Sequence, residues 1–535
     1  MVILHVNSNL HKEPWLPSAS DIEGAEIVVV GAGVGGLSAA LSLAGTGARV
    51  TVVEAREYAG GKLRSLDVSG AAIDSGPTVL TMIDVFEGLF EQVGLRLSHY
   101  VTVRPSRCLA RHFWTDGSQL DLFADLQESA VAVADFASAR EARGYIDFSR
   151  RAEDAYLALK DSFMAAPAPS AASLTLSGGI GAMFKIAPFR SFDAVIGDHF
   201  QDRRLRQLFG RYATYCGGSP YQAPGPLMTI AHVERAGVYL VEGGMVRLAE
   251  GLAQACRDRG VRFLMGSRVE QIEPDPASGY RLHLGDGRAL NAHAVIHNGD
   301  PSKLSIIGRS RDTAAAACPP KERSLSAVTL SLTAIAEGVD LVRHNVFFSS
   351  DACREFSTLF DRREMPDEPT LYVCAQDRDD DGLPTPGQPE RLFVLANAPA
   401  NGDDHVSDDR ERQQWQATIL KRLAEMGLTL REVTCRVTMP SDFEALFPGS
   451  GGALYGAAPN GAMSSFRRPK VRTAVPFLYQ AGGAIHPGPG LPMVALSGIN
   501  AARAARMDLG STSMSARTVI AGGTSTPRAM TGSMR

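Results

Sequence analysis

The residues best suited to chemistry in this chain are glycines and their charged neighbours rather than nucleophiles. Gly31, Gly33 and Gly36 stand in the GAGVGG of EIVVVGAGVGGLSAALSLAGTGARVTVVE (residues 26–54), and the second β-branched run ends on Glu54. A strand, a glycine turn, a small-residue helix and a second strand make a unit that binds a dinucleotide. Gly31 permits the tight turn, Gly33 lets backbone approach a pyrophosphate, and Gly36 lets the helix close on the sheet. The positive end of the helix faces the phosphates, and Glu54 is placed to accept hydrogen bonds from a ribose. The next segment, AREYAGGKLRS (residues 55–65), adds Gly60, Gly61, Lys62 and Arg64 beside the expected pyrophosphate. A nicotinamide enzyme has no need of this second cradle, so the pair points to FAD and to two-electron redox chemistry.

These two motifs resemble the FAD-dependent flavoprotein superfamily that includes amine oxidases, protoporphyrinogen oxidase and carotenoid desaturases, in which distant pieces of chain hold the cofactor. The resemblance directs attention to two further pieces. VYLVEGGMVRLAEGLAQACRDRGVRFLMGSRVEQIE (residues 238–273) carries a glycine pair, an amphipathic helix, a strand and a β-branched turn. In the superfamily the residue after the small-x-basic turn, here Val269, presents its backbone to the adenine; a plain crossover between helix and strand fits the same residues. A hairpin at Asp286-Gly287 and a strand over 294–297 then return the chain to the sheet. The last piece is VPFLYQAGGAIHPGPGLPMVALSGINAA (residues 475–502), a short strand, a Pro-Gly turn and a helix from about Pro492. Proline costs nothing in a first helical turn. The free N–H groups and positive dipole end of that helix are expected at the flavin pyrimidine edge. Gly483 and Met493 are the candidate cofactor contacts here. His486 is either an acid or base near the flavin or a turn residue bonded to backbone.

Elements that position these pieces can be read from the rest of the chain. At 535 residues with 44% hydrophobic composition, it can fill two or three cores. The expected architecture is α/β: a Rossmann-like FAD-binding domain of the amine oxidase/phytoene desaturase type with an inserted α+β substrate domain. The FAD-binding domain is assigned to 24–115, 235–300 and 471–508, and the substrate domain to 116–234 and 301–470. Residues 1–23 form an N-terminal extension and 509–535, rich in Ser, Thr and Gly, a disordered tail. Within the insertions a hairpin is expected around Asp116-Gly117, a buried strand over 391–400 and a helix over 409–427.

Composition narrows the partners. A formal charge of −4 without a basic block makes nucleic acid an unexpected partner. Seven cysteines without a C-x-x-C pair speak against a disulfide framework or zinc site, and suit a reducing compartment. The opening residues show no basic region leading into an apolar stretch, so no signal peptide is expected, and no run reaches the roughly 18 apolar residues needed to cross a bilayer. LTLSGGIGAMFKIAPFRSF (residues 174–192) is apolar with only Lys185 and Arg190 charged; it suits either attachment to a lipid surface or a tunnel wall for a greasy ligand. No G-x-S-x-G or H-E-x-x-H occurs. Tyr212, Tyr215 and Tyr221 suit pocket walls and core packing equally.

Over residues 24–508 the chain resembles the bacterial phytoene desaturase family. The likeness is carried by AGGKLRS, AIDSGPTVLTM (72–82), FGRYATYCGGSPYQAP, VEGGMVRLAEGL and GGAIHPGPGLPMVALSG; the second and third of these are most similar to the 1-hydroxycarotenoid 3,4-desaturase branch. The resemblance implies FAD, a long acyclic carotenoid, a peripheral place on the lipid bilayer surface in the bacterial cytoplasm, and oxygen or a quinone as electron acceptor. It implies hydride loss from a C–H beside the polyene, whose conjugation spreads the charge, and proton loss from the next carbon, with no metal. Phytoene or carotene desaturation is the alternative. A prenyl-lipid carrier without redox chemistry, like the Rab GDP-dissociation inhibitors, shares the architecture, but intact GAGVGG, Glu54 and GGKLR disfavour it.

Overall fold

The computed structural model describes residues 22–167, 186–304, 306, 318–379, 382 and 384–520; of 465 and 512–520 it describes the backbone alone. The run EIVVV forms the strand Glu26–Val30 because β-branched side chains suit a pleated surface buried on both sides. It is the centre of a five-stranded sheet ordered Leu478–Gln480, Ala294–His297, Glu26–Val30, Arg49–Val53, Arg262–Leu264. Every pairing in it is parallel. Alternate residues face opposite sides. Ile27, Val29, Val52 and Ile296 pack with Leu37, Leu41, Leu248 and Leu252 of the helices Val34–Ala44 and Val246–Asp258. Val28, Val53, Val295 and Leu478 pack with Ile272, Leu282 and Leu284 of a three-stranded antiparallel sheet, Val269–Asp275, Gly279–Leu284 and Ala289–Ala292. The expected hairpin and return strand over 279–297 are both present.

A second body is built around a seven-stranded sheet, ordered Leu428–Thr438, Ser326–Gly338, Glu390–Ala398, Leu371–Ala375, His344–Phe347, Cys108–Phe113, Gln119–Phe123. Both insertions contribute strands to it. Its two faces differ. Val328, Leu330, Leu332, Phe347, Leu371, Val373, Leu392 and Val394 pack beneath Ile419 and Leu423 of the helix Asp409–Glu425. The opposite face carries Thr329, Ser331, His112, His344, Tyr372 and Cys374, facing a helical layer whose core holds Phe148, Phe192, Phe200 and Phe209. Side-chain caps start several of these helices: Asp125 accepts from the backbone N–H of Gln127 and Glu128, and Asp408 from that of Glu411.

Two boundaries shift. The first strand of the 108–123 hairpin lies in the second body, so the chain leaves the cofactor body before residue 108 rather than at 115. A hairpin buries one face as a unit, and its two strands cannot be divided between bodies. The closing helix Leu491–Ile520 begins one residue before Pro492 and continues past residue 509, where a disordered tail was expected. Between Gly510 and the pair Gly522-Gly523 no glycine or proline interrupts it. Residues 1–21 and 521–535, and 174–185 of the apolar segment, lie outside the described residues.

Candidate functional site

The site is assembled where the carboxyl end of Glu26–Val30 meets the helix Val34–Ala44. Gly31 leaves the strand with its N–H donated to the Val53 carbonyl at 2.8 Å. A Cβ on Gly36 would stand 2.1 Å from the Gly31 carbonyl oxygen, so a side chain there would push the helix off its own turn. Gly33 caps the helix with no side-chain hydrogen bond, and the first turn holds no acidic residue. The N-terminal N–H groups and positive helix end are therefore not engaged by a carboxylate of that turn.

Glu54 ends the second strand beside this turn. Its carboxylate accepts from the backbone N–H of Ala32 at 2.7 Å and of Arg56 at 3.0 Å. The AGGKLRS segment lies directly on the first motif: Gly60 donates to the Ala32 carbonyl at 2.8 Å, and a Cβ on Gly61 would be 3.1 Å from the Gly33 Cα. Lys62 points its Nζ at the Leu454 carbonyl, 2.7 Å away. Its side chain keeps open surface although protein surrounds it, and burial pushes its pKa down to about 8 against the raising pull of Asp300. Val269 begins its strand just after Ser267, whose N–H donates to the Glu54 carbonyl at 2.8 Å. The turn before Val269 therefore sits against the backbone of Glu54.

The C-terminal piece closes on the first. Gly482 donates to Ser497 Oγ at 2.8 Å, and a Cβ on Gly35 would be 3.1 Å from the Gly482 nitrogen. Gly483 follows at this junction, and Met493 lies half-buried in the first turn of the closing helix. Sequence distance of more than four hundred residues is thus reduced to van der Waals contact. His486 is buried, with Nε2 2.9 Å from the Phe163 carbonyl oxygen and 3.0 Å from that of Ala166, and the Phe163 ring packs edge-on against it. Two acceptors at Nε2 require that nitrogen to donate. Burial, the largest influence, holds the ring neutral by lowering its pKa. Of the two readings of His486, this geometry matches the turn residue bonded to backbone.

Three residues that sequence reasoning missed complete the site. Asn298 follows the strand Ala294–His297 and donates to the Ala481 carbonyl at 3.0 Å; its side-chain oxygen is buried without a protein partner and lies 2.8 Å from where a Gly33 Cβ would stand. Its place just beyond a returning strand was the available signal. Arg468 is buried and donates to the carbonyls of Tyr455 at 3.1 Å, Gly483 at 3.2 Å and Ala457 at 2.9 Å. No sequence pattern marks it. Asp74, within AIDSGPTVLTM, accepts from the N–H of Met245 at 2.6 Å and Val246 at 3.3 Å, and so caps the helix Val246–Asp258 from outside. Its backbone exchanges two hydrogen bonds with the Gln376 amide, at 3.0 and 2.8 Å, tying the cofactor pieces to the second sheet.

These features fit FAD: a cradle that any Cβ would fill, an orphaned amide oxygen against it, an open cation at Lys62, and at Arg468 a buried cation bonded to neutral carbonyls. Tyr215, Tyr372 and Tyr455 each keep part of their surface open. The groups in this region are poor nucleophiles. Burial pushes the Cys216 thiol up to about 11 and Tyr455 up to about 12. Among the described residues no group of three or more His, Cys, Asp or Glu side chains could hold a metal ion.

Residues 34–506 match the family of flavin containing amine oxidoreductases. This chain belongs to that family. It is 42% identical over 524 residues to a hydroxyneurosporene desaturase of Rubrivivax gelatinosus, covering 96% of this chain and 100% of that protein. It is 43% identical over 496 residues to a hydroxyneurosporene desaturase of Cereibacter sphaeroides, covering 91% and 99%. Among solved structures a putrescine oxidase double mutant aligns with a TM-score of 0.56 at 15% identity over 91% of this chain and 99% of that one, which shows the shared fold. The chain is an FAD-dependent oxidoreductase of the carotenoid desaturase group, and the expectations of fold, cofactor and enzyme class hold.

Proposed function

We propose that this enzyme introduces the 3,4 double bond into 1-hydroxycarotenoids such as 1-hydroxyneurosporene, 1-hydroxylycopene or methoxyneurosporene, in carotenoid biosynthesis. The observation that carries the proposal is the near-full-length likeness to two hydroxyneurosporene desaturases. When bound, FAD supplies the two-electron oxidation. Gly31, Gly33 and Gly36 with Lys62 would hold its pyrophosphate, Glu54 its ribose, the backbone at Val269 its adenine, and the Gly483 to Met493 segment its ring. The protein's own task is then to orient a hydrocarbon and exclude water. Apolar walls and phenols with raised pKa values suit that task, and no strong base is needed where conjugation spreads the charge left on the substrate.

The substrate class supports a peripheral place on the lipid bilayer surface, in the bacterial cytoplasm, with oxygen or a quinone accepting the electrons. Phe189, 78% exposed, is an apolar side chain suited to the interface. Its neighbour Arg190 is paired with Asp198 at 2.9 Å, so that cation is partly committed within the protein. No helix among the described residues is long and apolar enough to cross a membrane.

The test supplies 1-hydroxyneurosporene and phytoene separately to the FAD-loaded enzyme in liposomes and reads masses and spectra. The expected result is a product two hydrogens lighter from the hydroxylated carotenoid. Such a product from phytoene alone would move the assignment to phytoene desaturation. Flotation with anionic vesicles tests the surface, and recovery of all protein in the unbound fraction counts against it.

A further inference from the structure

The 3,4-desaturation reading leaves one recognition problem unsolved. The oxygen of a tertiary hydroxyl on C1 lies only three bonds from C3, so whatever holds that hydroxyl must border the cofactor. An alcohol buried among apolar groups without a hydrogen-bond partner loses the bonds it made to water. Some polar group close to the cofactor pieces must therefore receive it.

The polar face of the seven-stranded sheet supplies one. Tyr372 lies within hydrogen-bond distance of two groups at once: Thr78 Oγ1 at 2.7 Å and His344 Nδ1 at 2.7 Å. Thr78 belongs to AIDSGPTVLTM, two residues after Gly76, whose Cβ would come within 2.0 Å of the Lys62 carbonyl oxygen. The line thus starts beside the cofactor cradle and runs onto the sheet. Thr78 and Tyr372 keep open surface, while His344 is buried and its Nε2 has no protein partner. Next to them on the same face, Val346 and Leu395 are apolar.

Counting protons shows what the line can do. Burial pushes the His344 pKa down to about 3, so one ring nitrogen carries hydrogen and the other a lone pair. If Tyr372 donates to Nδ1, Thr78 donates to Tyr372 and keeps acceptor capacity for a guest. If Nδ1 donates to Tyr372, Tyr372 donates to Thr78, whose own hydroxyl hydrogen is then free. The line offers a donor or an acceptor at Thr78, its partly open end, and an alcohol can answer either. A plain hydrocarbon answers neither.

We propose that Thr78, Tyr372 and His344 form the seat of the substrate's tertiary hydroxyl, so that this line selects hydroxylated carotenoids and sets which bond meets the cofactor. The proposal rests on the 1-hydroxycarotenoid reading above. Its test compares 1-hydroxyneurosporene with neurosporene, its deoxy parent, on full-length FAD-loaded enzyme in liposomes, for wild type, Tyr372→Phe, Thr78→Val and Thr78→Ser.

In Tyr372→Phe and Thr78→Val the ratio of kcat/KM values, alcohol over parent, falls about ten- to a hundredfold, the range a lost buried hydrogen bond spans. Thr78→Ser, which keeps a hydroxyl, retains the ratio. Flavin absorbance shows that each variant is folded, and quenching of tryptophan fluorescence by the alcohol reports weaker binding independently of turnover. A wild-type preference for the alcohol that survives both Tyr372→Phe and Thr78→Val overturns the seat alone. Wild-type enzyme that turns over only the parent overturns the 1-hydroxycarotenoid reading and the seat with it.

Discussion

Lys62 keeps an exposed side chain, and the protein packed around its ammonium lowers its pKa to about 8, so the ammonium form dominates below that pH and is lost as pH rises through it. If this charge meets the cofactor pyrophosphate, FAD binding by the apoprotein weakens above pH 8, because alkaline protein must first take up a proton. Titration of flavin fluorescence between pH 6.5 and 9.5 reads this directly. Lys62→Gln should weaken binding about tenfold or more and flatten the profile. Lys62→Arg should bind FAD without the alkaline decline, because a guanidinium stays charged there. An alkaline decline in Lys62→Arg equal to that of wild type would assign the titration to another group.

The element that most constrains the site is the crossing of Val34–Ala44 with Leu491–Ile520. A Cβ on Gly498 would stand 2.1 Å from the Gly35 carbonyl oxygen and 3.0 Å from the Ala39 nitrogen, and both obstacles are backbone. The clash therefore begins at Cβ, and Gly498→Ala already forces the helices apart. Overpacking of this kind costs about 1–3 kcal/mol or more. It also moves the Gly482 junction, which Ser497 on the same helix holds by its hydroxyl. Gly498→Ala should accordingly lower Tm and lose bound flavin together, by calorimetry and absorbance ratio. A variant with wild-type flavin content and Tm would mean that the helices have room the crossing does not show.

At the scale of the whole molecule, buried imidazoles bear on the acid limit, among them His112, His297, His344 and His486. Burial holds His112 at about 3, His297 at about 4 and His344 at about 3. In the unfolded chain each titrates near ~6.5. These folded-state pKa values are lowered, so between about pH 6 and 4 unfolding takes up protons that the folded state refuses. Stability falls as pH drops, by about 4 kcal/mol per pH unit if all three contribute fully (three times ~1.4). Urea midpoints measured from pH 7 to 4.5 should decline steeply below pH 6. A midpoint constant across that range would show that these rings protonate in place.

Local physics made much of this protein legible in its sequence. Alternation of β-branched residues, glycine turns and a terminal carboxylate depend on neighbours a few positions apart, so GAGVGG, Glu54 and AGGKLRS could be read as a cofactor cradle, and the 279–297 hairpin and return strand as its continuation. The near-full-length likeness carried the enzyme class. Tertiary structure alone decided what depends on residues far apart in the chain. Asn298 and Arg468 acquire a role only when strands and loops from three regions converge. Asp74 caps a helix that begins 172 residues later. His486 was open to two readings until the 163–166 carbonyls were seen to occupy its ring. The polar face of the second sheet, with Thr78, Tyr372 and His344 in one hydrogen-bonded line, comes from three separate stretches of chain. Pairing across such distances is set by burial and register, and neither leaves a local mark in the sequence.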